Sequence, residues 1–581
     1  MLKNQLFVAS CVLILVALSV PQIGVAQNPN TPTRQGSTGS SRTPRSGRTS
    51  PGSTEFRRPA TQQKRRLTDA AAAVEEDVAE AVAVIESHYV DGKKLDYNAV
   101  FKSSILGMLR SLDPHSNYYD RDEFDEFKTE QRSEYYGIGA SIGNQREKEQ
   151  IDTYIIATFE NSPASKAGML FGDRIVKVDD VEASDKSSLE VRDKIRGPRG
   201  SIVKLTVQRA ATGRVEIVEI RRDAVAQPSI PDAYIIGRGV GYIDMTHGFN
   251  YTTSDELDYA LEYLHDRGMT SLVLDLRNNP GGLLDQAIRV AEKFLPSGQL
   301  ILTQRGRNGA DDRVYRADNS TLDQTPLVIL INNNSASASE IVAGAIQDHD
   351  RALLVGENSF GKGLVQTISS LDYGTGLTLT TAKYYTPSGR LIQRDYSNGS
   401  IYEYMQGAGR DKDPQKQRGP VSHTDLGRPV YGGAGIAPDE HVKPRSIKAS
   451  EARLLNPAFA FTRELVNGRI AGFGAYKVQR AIDYNHKLEP TDFPMTELLY
   501  QAFKSFALKD SSWNATAAQL DASRAFLELQ IRYNVITAAY GRVTAEQVLV
   551  YDDPQVAKAV ETLPRARQLA LSVMRAGEGK R

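Results

Sequence analysis

The run Asn333-Asn334-Ser335-Ala336-Ser337-Ala338-Ser339-Glu340 lies between an apolar stretch, Leu327–Ile331, and helix-spaced apolar residues Ile341, Val342, Ala345 and Ile346. A serine at a helix N-terminus meets unpaired backbone N–H groups and the positive end of the helix dipole. An attacking oxygen and a site for the resulting oxyanion can therefore share one turn. Ser337-x-x-Glu340 also spells a capping box, which does no more than close a helix end. Taken alone, the segment favours the cap.

A second cluster is Gly356-Glu357-Asn358-Ser359-Phe360-Gly361-Lys362-Gly363. It nearly spells a phosphate-binding loop, but such a loop needs Ser or Thr after the lysine and a helix to aim its amides. Here Gly363 follows, and Leu364-Val365-Gln366-Thr367-Ile368 has an extended pattern, which argues against nucleotide binding. A lysine among glycines and apolar residues can instead be desolvated. Its pKa then falls, and the neutral amine can act as a general base. A plain surface lysine is the default for any one lysine in isolation. The third cluster, Asp275-Leu276-Arg277-Asn278-Asn279-Pro280-Gly281-Gly282, ends a strand; its paired glycines allow close backbone approach and can present N–H donors, or simply make a tight turn. A histidine base, His349 or His247, is the rival within serine chemistry. Neither lies in a glycine-rich turn, and lysine ranks above them.

These residues need elements to carry them. From about Gln227 strands and helices alternate. Val240–Met245, Leu272–Leu276, Leu327–Ile331 and Leu353–Gly356 have strand character, with helices at Asp255–Arg267, Leu283–Phe294 and Ser337–Gln347, an order that predicts parallel strand pairs in a layered α/β core. Before it, Glu130 to Asp223 is a compact β-rich stretch with short helices at Ser162–Gly168 and Leu189–Ile195, the second halted by Gly197-Pro198-Arg199-Gly200. Leu67 to about Phe127 is helical, with Asp113-Pro114-His115-Ser116 ending its second helix, and beyond Lys448 the pattern is again mainly helical, without a legible motif.

The chain of 581 residues is long enough for several domains, and its 71 Lys plus Arg balance 71 Asp plus Glu. Nothing in that balance calls for nucleic acid. Lys3, the apolar run Leu6–Val20 and Gly24-Val25-Ala26 form a secretory signal with cleavage expected after Ala26; the run is shorter than the roughly 20 residues of a spanning helix. Residues 27–66 carry almost no large apolar side chains and are expected to be a disordered, basic tether. The single cysteine, Cys11, lies inside the signal, so the mature chain has no thiol nucleophile and no cysteine ligand. No His-Glu-x-x-His stretch occurs either, and neither a metal nor a cofactor is expected.

In order and wording these pieces resemble the carboxyl-terminal processing (tail-specific) proteases. The resemblance runs from about Ala70 to Lys448. It rests on Leu112–Ser116, the Asp275–Gly282 turn, the Ser335–Glu340 and Gly356–Thr367 pair, and a PDZ-like stretch with Asn161–Gly168, Gly172-Asp173-Arg174-Ile175 and Ile195–Gly200. It implies an α/β multidomain fold, a β-rich PDZ domain plus a layered α/β (crotonase-like) protease core with helical N- and C-terminal regions. The expected segments are signal 1–26, linker 27–66, helical region 67–127, PDZ domain 128–224, core 225–448 and helical region 449–581. It further implies that Ser337 is the nucleophile, Lys362 the general base and Gln366 the residue that orients the lysine. Ala338 N–H and an N–H of Gly281 or Gly282 would be the oxyanion donors, and Tyr136, Gly137, Ile138 and Gly139 the carboxylate-binding loop. The implied function is cleavage of exported, periplasmic or extracytoplasmic proteins near apolar C-termini. Cell-envelope or membrane proximity and a homodimer fit the same picture. The competing reading is a non-catalytic exported PDZ scaffold; an acyl-CoA enzyme is disfavoured because nothing is built to hold a CoA phosphate.

Overall fold

The computed structural model describes residues 69–91, 96–147, 150–307, 309–397, 404, 419–478 and 481–578. The expected export signal and basic tether lie outside the described residues.

Helices Asp69–His88 and Tyr97–Arg110 open the described chain, the second capped by Asp96, whose carboxylate accepts from Asn98 N and Ala99 N. The turn at Asp113–Ser116 leads into strand Asn117–Tyr119, which pairs antiparallel with Gly376–Tyr385, some 260 residues further on. This pairing pins the turn to a five-stranded sheet that also holds Leu300–Gly306, Arg313–Arg316 and Leu364–Ser370.

The β-rich unit is a six-stranded sheet ordered Ala140–Glu147, Gln150–Thr158, Arg174–Val178, Ile202–Gln208 and Val215–Arg221, with Val181–Glu182 paired to Arg174–Val178. Alternate residues Val203, Leu205 and Val207 point inward and are fully buried, the period of two that a one-sided sheet requires. Ala140–Glu147 is an edge strand, and helix Ser188–Ile195 packs beside it through buried Val191 and Ile195.

The serine, lysine and glycine clusters follow strands of a second six-stranded sheet, ordered Asp232–Gly237, Val240–Asp244, Ser271–Asp275, Leu327–Ile331, Ala352–Gly356 and Glu440–His441. Only the first pair is antiparallel. Leu327–Ile331 and Ala352–Gly356 are buried at every position, as expected of strands covered on both faces. Leu272, Leu274, Ile329 and Leu354 face helices Thr253–Asp266, Leu284–Glu292 and Ala338–Asp348. Val273, Val328, Leu330 and Val355 face Val556, Ala559, Leu563 and Ala566 of the last helix, Pro554–Glu578. The C-terminal stretch, motifless in sequence, thus closes one face of the sheet. Of its other helices, Leu455–Val466 and Arg524–Tyr540 pack on the β-rich unit, with Phe459 against Tyr154 and Phe171 at ring distances of 5.4 and 5.1 Å.

The mixed α/β class expected from the sequence is the one observed, with helical regions at both ends.

Candidate active site

All three clusters emerge from the same end of the parallel strands. Ser271–Asp275 feeds the Arg277–Gly282 turn, Leu327–Ile331 feeds the serine run, and Ala352–Gly356 feeds the lysine turn. Backbone bonds stitch them together: Ala336 N–H donates to Asn279 O at 3.0 Å, and Phe360 N–H donates to Ser335 O at 2.9 Å.

Ser337 precedes helix Ala338–Asp348, but not as an ordinary cap. A capping residue is extended and offers its side-chain oxygen to the first turn. Ser337 instead has φ 54° and ψ −110°, and its hydroxyl makes no capping hydrogen bond; Glu340 N–H meets the Ser337 carbonyl oxygen at 2.9 Å. A positive φ is costly for a residue with a side chain, about 1–3 kcal/mol, and such conformations concentrate at functional sites. What remains of the box is Glu340, whose carboxylate accepts from Ser337 N–H at 2.8 Å.

Glu340 does far more than close a helix. It is wholly buried, and Oε2 also accepts from Lys362 N–H at 2.9 Å, while Oε1 accepts from Gly361 N–H at 2.7 Å and Ser359 Oγ–H at 2.5 Å. Burial pushes its pKa up and these donors pull it back. A shell made mainly of N–H donors fits a carboxylate. The Tyr384 hydroxyl completes the link, within hydrogen-bond distance of Ser337 O (3.1 Å) and Lys362 O (2.9 Å).

Lys362 is followed by strand Leu364–Ser370, not by the helix a phosphate loop needs. Burial pulls the pKa of its amine below the usual lysine value, with Glu340 and Asp113 opposing. Its Nζ donates to Gln366 Oε1 at 2.9 Å, and Gln366 Nε2 donates to His115 O at 2.6 Å, which fixes which end of the amide faces the amine. Asp113 builds the turn that supplies this carbonyl, accepting from His115 N–H, Ser116 N–H and Ser116 Oγ–H at 2.7–2.8 Å. His115 itself is held near a pKa of about 4, by burial first and Lys362 second. Lys362 Nζ and Ser337 Oγ make no hydrogen bond to each other among the described residues.

The glycine turn lies directly against the serine. A Cβ on Gly281 would stand 2.7 Å from Ser337 Cβ and 2.9 Å from Ala338 N, and Gly281 has φ +95°. Only glycine fits there. Its N–H donates to Asn279 Oδ1 at 2.9 Å, whereas Gly282 N–H and Ala338 N–H make no hydrogen bonds among the described residues.

The histidines do not compete. Helix Ala338–Asp348 carries His349 roughly 18 Å along its axis from Ser337. Both His349 ring nitrogens are bonded, to Asp425 Oδ2 (2.8 Å) and Leu300 O (2.7 Å). His247 is bonded through Nδ1 to Pro228 O, and burial pulls its pKa to about 4.

Tyr136 and Gly137 end strand Glu134–Gly137, and Ile138 and Gly139 join it to the edge strand Ala140–Glu147. Gly139, at φ +72°, and Ile138 offer their carbonyls to Ser162 Oγ–H and Ala164 N–H, which ties the loop to helix Pro163–Lys166. One cavity of about 480 Å³ runs from Gly137–Ile142 and Ile195 to Pro280–Leu283. The loop and the glycine turn therefore share a single space. Among the described residues no cluster of His, Cys, Asp and Glu could hold a metal ion.

Glu340, Tyr384 and Asp113 were missed as site residues. Glu340 left a trace, as the only charged residue in the apolar run from Ala338 to Ile346. Tyr384 left none.

Residues 239–399 match peptidase family S41, and residues 160–209 match the PDZ domain. The carboxy-terminal-processing protease of Bartonella bacilliformis is 39% identical over 303 residues, 51% of this chain and 68% of that protein. The carboxy-terminal processing protease CtpA of Bacillus subtilis is 34% identical over 311 residues, 53% of this chain and 65% of that protein. A solved photosystem II D1 C-terminal processing protease is 26% identical and matches 65% of this chain and 94% of its own, at a TM-score of 0.33. The chain thus joins a PDZ domain to a serine-type peptidase. It belongs to peptidase family S41, among the carboxy-terminal processing proteases.

Proposed function

We propose that Ser337 and Lys362 form the catalytic dyad of this peptidase. Neutral Lys362 accepts the proton of Ser337 Oγ as the oxygen bonds to the scissile carbonyl carbon. The lysine then returns that proton to the leaving amine as the C–N bond breaks, and water, deprotonated by the same amine, resolves the acyl-enzyme. Gln366 orients the amine. The oxyanion is met by Ala338 N–H and a glycine N–H: that of Gly282 makes no hydrogen bond among the described residues, and that of Gly281, whose Cα packs against Ser337, is bonded to Asn279. The observation that carries the assignment is the strained backbone of Ser337, with a hydroxyl that caps nothing.

The substrate tail adds as a strand along the edge Ala140–Glu147, its terminal carboxylate received by the Tyr136–Gly139 loop and its apolar side chains by the adjoining groove. The shared cavity supports this path. The functional units in this reading are PDZ 128–224, core 225–448 and the flanking helical regions 67–127 and 449–581. Segments 1–26 and 27–66 serve export and tethering, which places the enzyme outside the cytoplasm near the envelope. No helix among the described residues is long and apolar enough to cross a membrane. The exposed Val74, Val78 and Ile85 of the first helix are compatible with a homodimer.

With a purified enzyme and a peptide ending in apolar residues, Ser337→Ala is expected to abolish cleavage and leave tail binding unchanged, read by chromatography and by titration. A variant that cuts normally refutes the assignment.

A further inference from the structure

The Asp275–Gly282 turn is anchored from a part of the chain that the mechanism does not use. The Arg277 guanidinium donates to Asp275 through Nε and Nη2, at 2.6–3.0 Å. Its Nη1 points the other way, to Asp553 Oδ2 at 2.6 Å, 276 residues further along, and to Gln555 Oε1 at 2.8 Å. Asp553 Oδ1 meanwhile accepts from Gln555 N–H (2.8 Å) and Val556 N–H (3.3 Å), so the same carboxylate closes the start of the last helix. Gln555 Nε2 donates to Val442 O at 2.7 Å. The helix itself is fixed by Val556, Ala559, Leu563 and Ala566 on the core sheet.

From Arg277 the contacts run straight into the site. Asn278, at φ 60°, exchanges hydrogen bonds with the Asn332 side chain, both at 2.8 Å. Asn279 accepts from Gly281 N–H through its side chain, and from Ala336 N–H and Ser339 Oγ–H through its carbonyl. The turn therefore has two anchors, the serine run on one side and the Asp553–Gln555 pair on the other. We propose that Asp553, seconded by Gln555, is a positioning residue for the reaction: through Arg277 it sets the Asn278–Gly282 turn against Ser337, so that the C-terminal segment completes the catalytic centre.

This inference rests on the Ser337–Lys362 reading. Removing the Asp553 charge leaves a largely buried guanidinium edge short of its partner, and the turn relaxes toward another acceptor. A shift of up to about 1 Å at an oxyanion donor is felt in kcat, because the donor acts on charge that exists only in the transition state.

The experiment compares the full-length wild type with Asp553→Asn, Asp553→Glu and Gln555→Leu in steady-state cleavage of one peptide, with Tm measured alongside. Asp553→Asn is expected to lower kcat by about 10- to 100-fold with KM within about twofold of wild type. Asp553→Glu should recover most of the loss, and Gln555→Leu, which keeps the ion pair, should show a smaller fall of the same kind. If Asp553→Asn fails to fold, Gln555→Leu carries the test. A drop in Tm with kcat unchanged in the folded variants overturns the proposal. Failure of the underlying reading is separate, since it appears as undiminished cleavage by Ser337→Ala.

Discussion

Replacing Lys362 by methionine is expected to lower kcat/KM by roughly 10²–10⁴-fold, the usual contribution of a general base, while the protein stays folded. Methionine fills much the same volume; the hydrogen bond lost is the one to Gln366 Oε1, while the Glu340 and Asp113 carboxylates keep their backbone and hydroxyl donors. Lys362→Arg should be equally inactive, because a guanidinium keeps its proton throughout the working range. The wild type carries a pH signature that both variants lack. Burial holds the amine's pKa in the folded protein below 10.5, its ordinary value, so activity rises with pH as the amine loses its proton, with a midpoint below that of a free lysine. In the window between the folded and unfolded pKa values the unfolded chain binds more protons, so stability also rises with pH. Below the folded pKa the site must hold an ammonium with few polar partners, and activity is lost there first. The pH–rate profiles of wild type and Lys362→Met check this; an unchanged alkaline rise in the methionine variant would assign the base elsewhere.

The second large effect belongs to Glu340. Its carboxylate is the acceptor for the backbone N–H groups of Ser337, Gly361 and Lys362, and thereby fixes the Ser337 turn to the Lys362 turn. Glu340→Ala strands these donors inside the protein, where each unsatisfied group costs about 1–3 kcal/mol. Allowing for relaxation, a loss of about 3–5 kcal/mol is expected, among the larger values for single substitutions. Glu340→Gln separates stability from geometry. The amide keeps one acceptor oxygen, but its NH₂ must face either the Ser337 and Lys362 donors or Gly361 N–H. That variant should fold with a loss of about 1–3 kcal/mol and still show a clear fall in kcat. Chemical denaturation and steady-state kinetics on the two variants test the ordering.

The difference between Glu340 and Ser337 shows what the sequence could convey. Leu327–Ile331 was legible because a short apolar run bounded by polar residues is the mark of a doubly covered strand. The helix from Ser337 was legible from its apolar spacing, and the break after Ile195 from Gly197-Pro198. These are local signals. The bond from His115 O to Gln366 spans 251 residues, and that from Asp553 to Arg277 spans 276. No spacing rule encodes such partners, because they are set by which sheet edges and helix ends meet. The last helix shows the same limit: the stretch beyond Lys448 reads only as mainly helical, and nothing local says that Val556, Ala559, Leu563 and Ala566 cover Val273, Val328 and Val355. Ser337 and Glu340 together were ambiguous for a different reason. A capping box and a nucleophile turn share the same letters, and only the backbone angles of Ser337 separate them.

The most direct test of the dyad is the site and pH dependence of covalent labelling. An enzyme preparation first shown to cleave peptide is treated with a fluorophosphonate over a series of pH values, in wild type and in Lys362→Met, and the adduct is located by mass spectrometry of its peptides. The predicted result is a single adduct on Ser337, formed faster as pH rises in the wild type and at a small, pH-independent rate in Lys362→Met. An adduct on another serine, or a Lys362→Met protein labelled as fast as wild type, would contradict the account.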